Sequence, residues 1–141
     1  MTHKTIHPES WLPAKGYANG ILTKDGILHI GGQIGWDGNK EFVSDDFIDQ
    51  MRQALSNIRQ IVETAGGQVE DVTRLTWFVT SKAEYLAAQK KLGPPTATSL
   101  AGIFRLCLWL WLPVLSKTAP KSKSKPLPIL DERSQVIFYA A

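Results

Sequence analysis

The feature that most constrains this chain is a break in character at Leu92. Up to that point, strand-like and helix-like patterns follow one another at the spacing of a small α/β domain. Gly93-Pro94-Pro95 then stops a helix that is still short, because proline removes a backbone donor and crowds the preceding turn. Beyond it, Leu100–Leu115 is apolar without helical or strand periodicity. Lys117–Pro128 is rich in Lys, Ser and Pro, a composition that buries too little apolar surface to order itself. The chain therefore divides into a domain at 1–92 and an aberrant tail at 93–141, apolar first, then basic and disordered.

The formal charge of +3 follows the same division. Met1–Leu92 carries 10 Lys/Arg and 11 Asp/Glu, while Gly93–Ala141 carries 6 and 2. The basic balance belongs to the tail and is no nucleic-acid footprint of the folded part. The single cysteine, Cys107, excludes a disulfide framework and suits a reducing, cytoplasmic setting. Met1–Ser10 is polar and has no apolar core of a secretory signal.

Within 1–92 the elements are legible. Tyr17–Thr23 and Ile27–Gly35 are β-prone and are joined through Asp25-Gly26, a hairpin signal because glycine accepts positive φ cheaply. Trp36-Asp37-Gly38-Asn39 reads as the turn that ends the second strand. Phe47, Ile48, Met51, Leu55, Ile58, Ile61, Val62 and Ala65 recur at three- and four-residue steps, one apolar stripe on a helix. Ser44, Asp45 and Asp46 cap its start and Gly66-Gly67 stops it. Asp71–Thr80 alternates with period two through Leu75, Trp77 and Val79, and a second helix starts near Ser81. Three strands under two helices leave an open apolar sheet edge.

Chemistry-bearing residues are sparse. Gly31-Gly32-Gln33 and Gly66-Gly67-Gln68 read as strand and turn glycines rather than a displayed hydrolytic loop. His3, His7 and His29 lack metal-ligand spacing, so no metal is expected. Cys107, among Leu106, Leu108 and Trp109, reads as an inert buried thiol. Leu100–Leu115 is short for a membrane span and is interrupted by Arg105 and Pro113, which argues against an anchor. Tyr17 at the start of a strand, with Gly31 and Gly32 letting a ligand approach the next strand's backbone, outlines a candidate pocket.

Together these segments resemble the RidA (YjgF-type) family of enamine/imine deaminases. The resemblance rests on Tyr17-Ala18-Asn19-Gly20, Ile30-Gly31-Gly32-Gln33-Ile34, the helix through Gln53-Ala54-Leu55-Ser56-Asn57-Ile58, Ala65-Gly66-Gly67, and Asp71 through Thr80. It covers about His7–Leu92. It implies a chorismate-mutase-like α+β fold, a mixed sheet packed on two helices, here without its last two strands. It implies a homotrimer with clefts between subunits, a small-molecule substrate, and no metal or organic cofactor. The implied reaction is hydrolysis of enamines and imines of the 2-aminoacrylate type to a keto acid and ammonia. The family's arginine holds the substrate carboxylate and its glutamate positions water. Those residues sit in motifs resembling FPAR and VEIEA, and neither motif is present. Arg105 follows Phe104 without the surrounding motif and is not assigned the role; Ala83 stands where many members carry asparagine. Only Tyr17, Gly31 and Gly32 carry over, as substrate-binding candidates. The alternative implied role is a non-catalytic metabolite- or partner-binding trimer.

The genetic code offers a reason for the tail. Ile103–Cys107 can be encoded ATT TTC CGG CTA TGT, and the same bases one nucleotide earlier contain TTT CCG GCT ATG, or FPAM. One choice of codons through Ile129 gives HFPAMSLVVVAGLVEDRAKVEIEATA, a family-like ending, with a stop available at Asp131. The expectation is a frameshift near about codon 93, in a parent whose recovered FPAM carries methionine at the usual arginine.

Overall fold

The computed structural model describes residues 3–92, 107–111 and 136–140. The stripe predicted from the sequence forms α1 (Phe47–Thr64), with Met51, Ala54, Leu55, Ile58, Ile61 and Val62 buried. Asp46 is its N-cap: the carboxylate accepts from the backbone N–H of Ile48 at 2.9 Å and of Asp49 at 3.1 Å, two donors the helix leaves unpaired. Ser44 Oγ in turn accepts from the Asp46 N–H at 3.0 Å. At the other end Gly66 takes φ +89°, Gly67 N–H donates to Val62 O and Gly66 N–H to Glu63 O. That double bond is the Schellman stop, and the left-handed residue it needs is the glycine the sequence supplies. Asp46→Ala is expected to cost about 1 kcal/mol of stability, read as a lower urea midpoint at unchanged slope.

The hairpin also forms. β1 (Lys4–Ile6), β2 (Gly20–Leu22) and β3 (Leu28–Gln33) run antiparallel in sequence order. The β2–β3 turn closes with Gly26 at φ +83° and Ile27 O accepting from Thr23 N–H at 2.9 Å. Sequence patterning missed β1, since three residues with one buried side chain, Ile6, show no period. The expected strand at Asp71–Thr80 is shorter: residues Val69–Asp71 form a 3-10 turn and β4 spans Leu75–Val79. α2 (Lys82–Leu92) follows, and Tyr85 meets Phe47 of α1 edge-on, with ring centroids 6.5 Å apart.

The fold class is the expected one, an α+β mixed sheet with two helices. Two further strands lie in the tail. β5 (Cys107–Trp111) pairs parallel to β4, and β6 (Val136–Ala140) lies antiparallel between β3 and β4. The sheet of the described residues therefore has six strands in the order β1-β2-β3-β6-β4-β5. The physical reason lies in the backbone. The unpaired N–H and C=O groups along β3 and β4 accept any extended partner, and a ladder does not depend on side-chain identity. Gly93-Pro94-Pro95, Arg105 and Lys117–Pro128 lie outside the described residues, as does Leu100–Leu115 apart from β5. Among the described residues no helix is long and apolar enough to cross a membrane.

α1 covers one face of the sheet. Ile30, Leu75 and Val79 join it in a core with Ile6, Phe47, Val69, Val72, Tyr85 and Ala88. On the opposite pleat, Ile21 is 40% exposed and His29 is exposed.

Candidate functional site

Tyr17 leads into β2, and its segment closes over β3. Gly31 N–H donates to Asn19 O at 2.9 Å. A Cβ at Gly31 would lie 2.8 Å from Ala18 O, so the approach of these two backbones requires glycine there. Gly31 and Gly32 also fall where β3 changes register: Ile30 pairs with Ala140 and Gln33 with Phe138, so three steps along β3 oppose two along β6. One extra residue on β3 is a bulge, a usual use of strand glycine. The structure thus brings Gly31 against the segment that follows Tyr17. Gly32 is the next residue of the same bulge.

The segment carrying Tyr17 is tied down along its length. Asn19, 5% exposed, bonds through Nδ2 to His7 Nδ1 at 3.0 Å, and His7 Nε2 lies 3.2 Å from Trp11 O. These bonds place the proton of a neutral His7 on Nε2. Trp11 Nε1–H donates to Gln60 Oε1 of α1 at 3.0 Å. His7 is thereby a structural residue; His3 and His29 are exposed. Among the described residues no three His, Cys, Asp or Glu side chains gather where a metal ion could be held.

A second loop meets the first. Residues 36–42 form a small hairpin, with Trp36 bridged to Phe42 and Asp37 Oδ1 accepting from the N–H of Asn39 and Glu41. Leu12 N–H donates to Gly38 O at 2.9 Å, and a Cβ at Gly38 would lie 2.8 Å from Trp11 Cδ1. Lys40 reaches across, its Nζ donating to Pro13 O at 2.7 Å and standing 5.6 Å from the Tyr17 ring centroid. Sequence reasoning identified the turn at Trp36–Asn39 but not Lys40. The turn residues were a signal that the chain reverses there, and gave none that it returns to Tyr17.

Gln33 completes the neighbourhood. It is 2% exposed, its Nε2–H donates to Gly31 O at 3.2 Å, and its Oε1 has no hydrogen-bond partner among the described residues. A buried acceptor without a donor costs about 1–3 kcal/mol, which marks the Gly31 bulge as a place of unspent polar capacity. The triplet Gly31-Gly32-Gln33 is strand, as expected, and Gly66-Gly67 is the helix stop.

The family model described as Endoribonuclease L-PSP matches residues 8–94, the stretch that holds the Tyr17 segment, the Gly31 bulge and α1. The chain belongs to this RidA/YjgF family. Its fold matches that of the *Escherichia coli* YjgF gene product at 24% identity, over 97% of this chain and 95% of that one, with a TM-score of 0.68. *E. coli* TdcF, solved with bound serine, matches at 20% identity over 97% and 95%, with a TM-score of 0.71. The Rid-family protein YyfA from *Yersinia pestis* matches at 20% over 98% and 96%, also at 0.71. At these identities the neighbours speak for the fold of the RidA chain and not for its substrate.

Proposed function

We propose that this RidA-family chain descends from a trimeric hydrolase of small enamines and imines of the 2-aminoacrylate type, and that it keeps the ligand-facing segment while turnover is impaired. The observation that carries the reading is the closure of the Tyr17 segment on Gly31, in a chain matched to the family over residues 8–94. Tyr17, Gly31 and Gly32 line the ligand side. The family's arginine and glutamate would supply carboxylate binding and water activation, and their motifs are absent from the sequence. Hydrolysis of an imine needs a base to position water and an acid to release ammonia.

The same reading includes a homotrimer, with the sheet face away from α1, which carries Ile21, as its contact surface. Light scattering on the purified chain should return three times its 15.6 kDa mass; a monomer would count against trimerisation. The enzymatic reading is tested by ammonia and pyruvate release from 2-aminoacrylate generated in situ. The chain is expected to run at the buffer rate, and clear acceleration would contradict the assigned impairment.

The tail is read as translation out of frame. Sequencing the gene from about codon 88 to about codon 135 tests this directly. A missing base near codon 93, with FPAM through VEIEA to a stop in the restored frame, is the expected result. Codons that cannot yield that frame would make the tail genuine and favour the non-catalytic binding trimer.

A further inference from the structure

We infer that Lys40 gives the Tyr17–Gly31 site a preference for small carboxylate ligands, acting from a fixed position over the Tyr17 ring. The inference rests on the reading of Tyr17 and Gly31 as the ligand side.

The backbone is the first ground. Lys40 has φ +64°, and among the described residues it is the one non-glycine with positive φ. L side chains rarely adopt that region. The same hairpin contains Gly38 and Asn39, both better suited to it, yet the left-handed conformation falls on the lysine. Such a conformation persists where surrounding contacts over-determine it. Here those contacts are Lys40 N–H to Asp37 O at 3.0 Å, the two bonds held by Asp37 Oδ1, and Lys40 Nζ to Pro13 O.

Charge is the second ground. Among the described residues the ion pair is Arg59–Glu63 at 2.7 Å, on the exposed surface of α1. Among the described residues no carboxylate pairs with Lys40. Its ammonium is half-held: one N–H goes to Pro13 O, the Tyr17 ring face lies beneath, and hydrogen-bonding capacity remains. The bound main-chain carbonyl and the ring fix where the cation stands without neutralising it. A lysine placed so binds a carboxylate as a point charge without first losing side-chain freedom.

The third ground is the coupling of the two loops. Leu12 N–H to Gly38 O and the packing of Trp11 on Gly38 hold hairpin 36–42 to the segment that carries Tyr17. The Tyr17 ring and the Lys40 charge therefore present themselves as one unit. A carboxylate is the part of a 2-amino or 2-oxo acid that such a unit recognises.

The test uses the full chain with ¹³C-labelled tyrosine rings, three in all, and the Tyr17 signal assigned by Tyr17→Phe. Pyruvate and its neutral counterpart pyruvamide are titrated at constant ionic strength. Pyruvate is expected to shift the Tyr17 resonance saturably, with affinity about fivefold or more above pyruvamide. Lys40→Met should equalise the two ligands and Lys40→Arg should keep the preference. A preference that survives in Lys40→Met overturns the role of Lys40 and leaves the site standing. A Tyr17 signal that responds to neither ligand overturns both. A Lys40-dependent preference in a chain that accelerates ammonia release from 2-aminoacrylate retains the anion site and overturns only the assigned impairment. If Lys40→Met does not fold, the unsubstituted chain decides the matter: equal affinities for pyruvate and pyruvamide overturn the inference.

Discussion

Replacing Ile61 by alanine is expected to lower the unfolding free energy by about 4 kcal/mol, near the upper part of the range for large-to-small core changes. Ile61 is fully buried on the face of α1 that meets β2. Its Cγ2 fills the space above Gly20: a Cβ built on that glycine would lie 3.0 Å from it, 3.3 Å from Leu28 Cδ1 and 3.4 Å from Ile6 Cβ. The cost of a truncation depends on how far neighbours can move into the void. Here the neighbour directly beneath has no side chain to move. The same geometry gives a rescue. Gly20→Ala alone crowds Ile61 and should destabilise modestly, while in the Ile61→Ala background the new methyl enters the void. The double variant should be more stable than Ile61→Ala by about 1 kcal/mol, a coupling between touching residues. Urea unfolding at one fixed protein concentration reads this, since assembly would shift the midpoints. Strict additivity of the two changes would show that Ile61 does not pack on Gly20.

That contact illustrates what the sequence made legible. The apolar stripe of α1 was readable because each position repeats a helical step, and the side it buries follows from the repeat alone. The stop at Gly66-Gly67 was readable because left-handed backbone favours glycine. Tyr17 and Gly31 could be singled out, and the family named, because their order along the chain is specific. The partner of each was another matter. That Gly31 touches Ala18, or Gly20 touches Ile61, depends on strand register, which local patterns do not carry. Lys40 was missed for the same reason: its hydrogen bond spans 27 residues, to Pro13. β5 and β6 have no alternation of their own to announce them.

Asn57→Leu is the change expected to connect the core to the site, at a cost of about 3 kcal/mol. Asn57 is 1% exposed and lies in mid α1. Its amide donates to Ile34 O at 3.3 Å and to Trp36 O at 2.8 Å, and its Oδ1 accepts from Gln53 Nε2 at 2.9 Å. Leucine occupies similar volume, so little of the cost comes from packing. Most comes from two carbonyls left without a donor at the exit of β3, each worth about 1–3 kcal/mol when buried. Those carbonyls anchor the start of hairpin 36–42, so their release should also loosen Lys40 over Tyr17. The pyruvate preference is expected to fall in Asn57→Leu, although the hydrogen bonds of Asn57 go to Gln53, Ile34 and Trp36 and not to Tyr17 or Lys40. Asn57→Asp separates hydrogen bonding from charge. The introduced carboxyl faces two carbonyl oxygens, which favour its protonated form and raise its folded-state pKa above the unfolded value. With that sign its stability is greatest below the unfolded pKa and is lost as pH rises through the folded one. Asn57→Asp should therefore approach the parent stability at low pH and fall behind as pH increases, while Asn57→Leu keeps a constant deficit. Parallel pH profiles for the two variants would show that the bonds to Ile34 and Trp36 are not what Asn57 contributes.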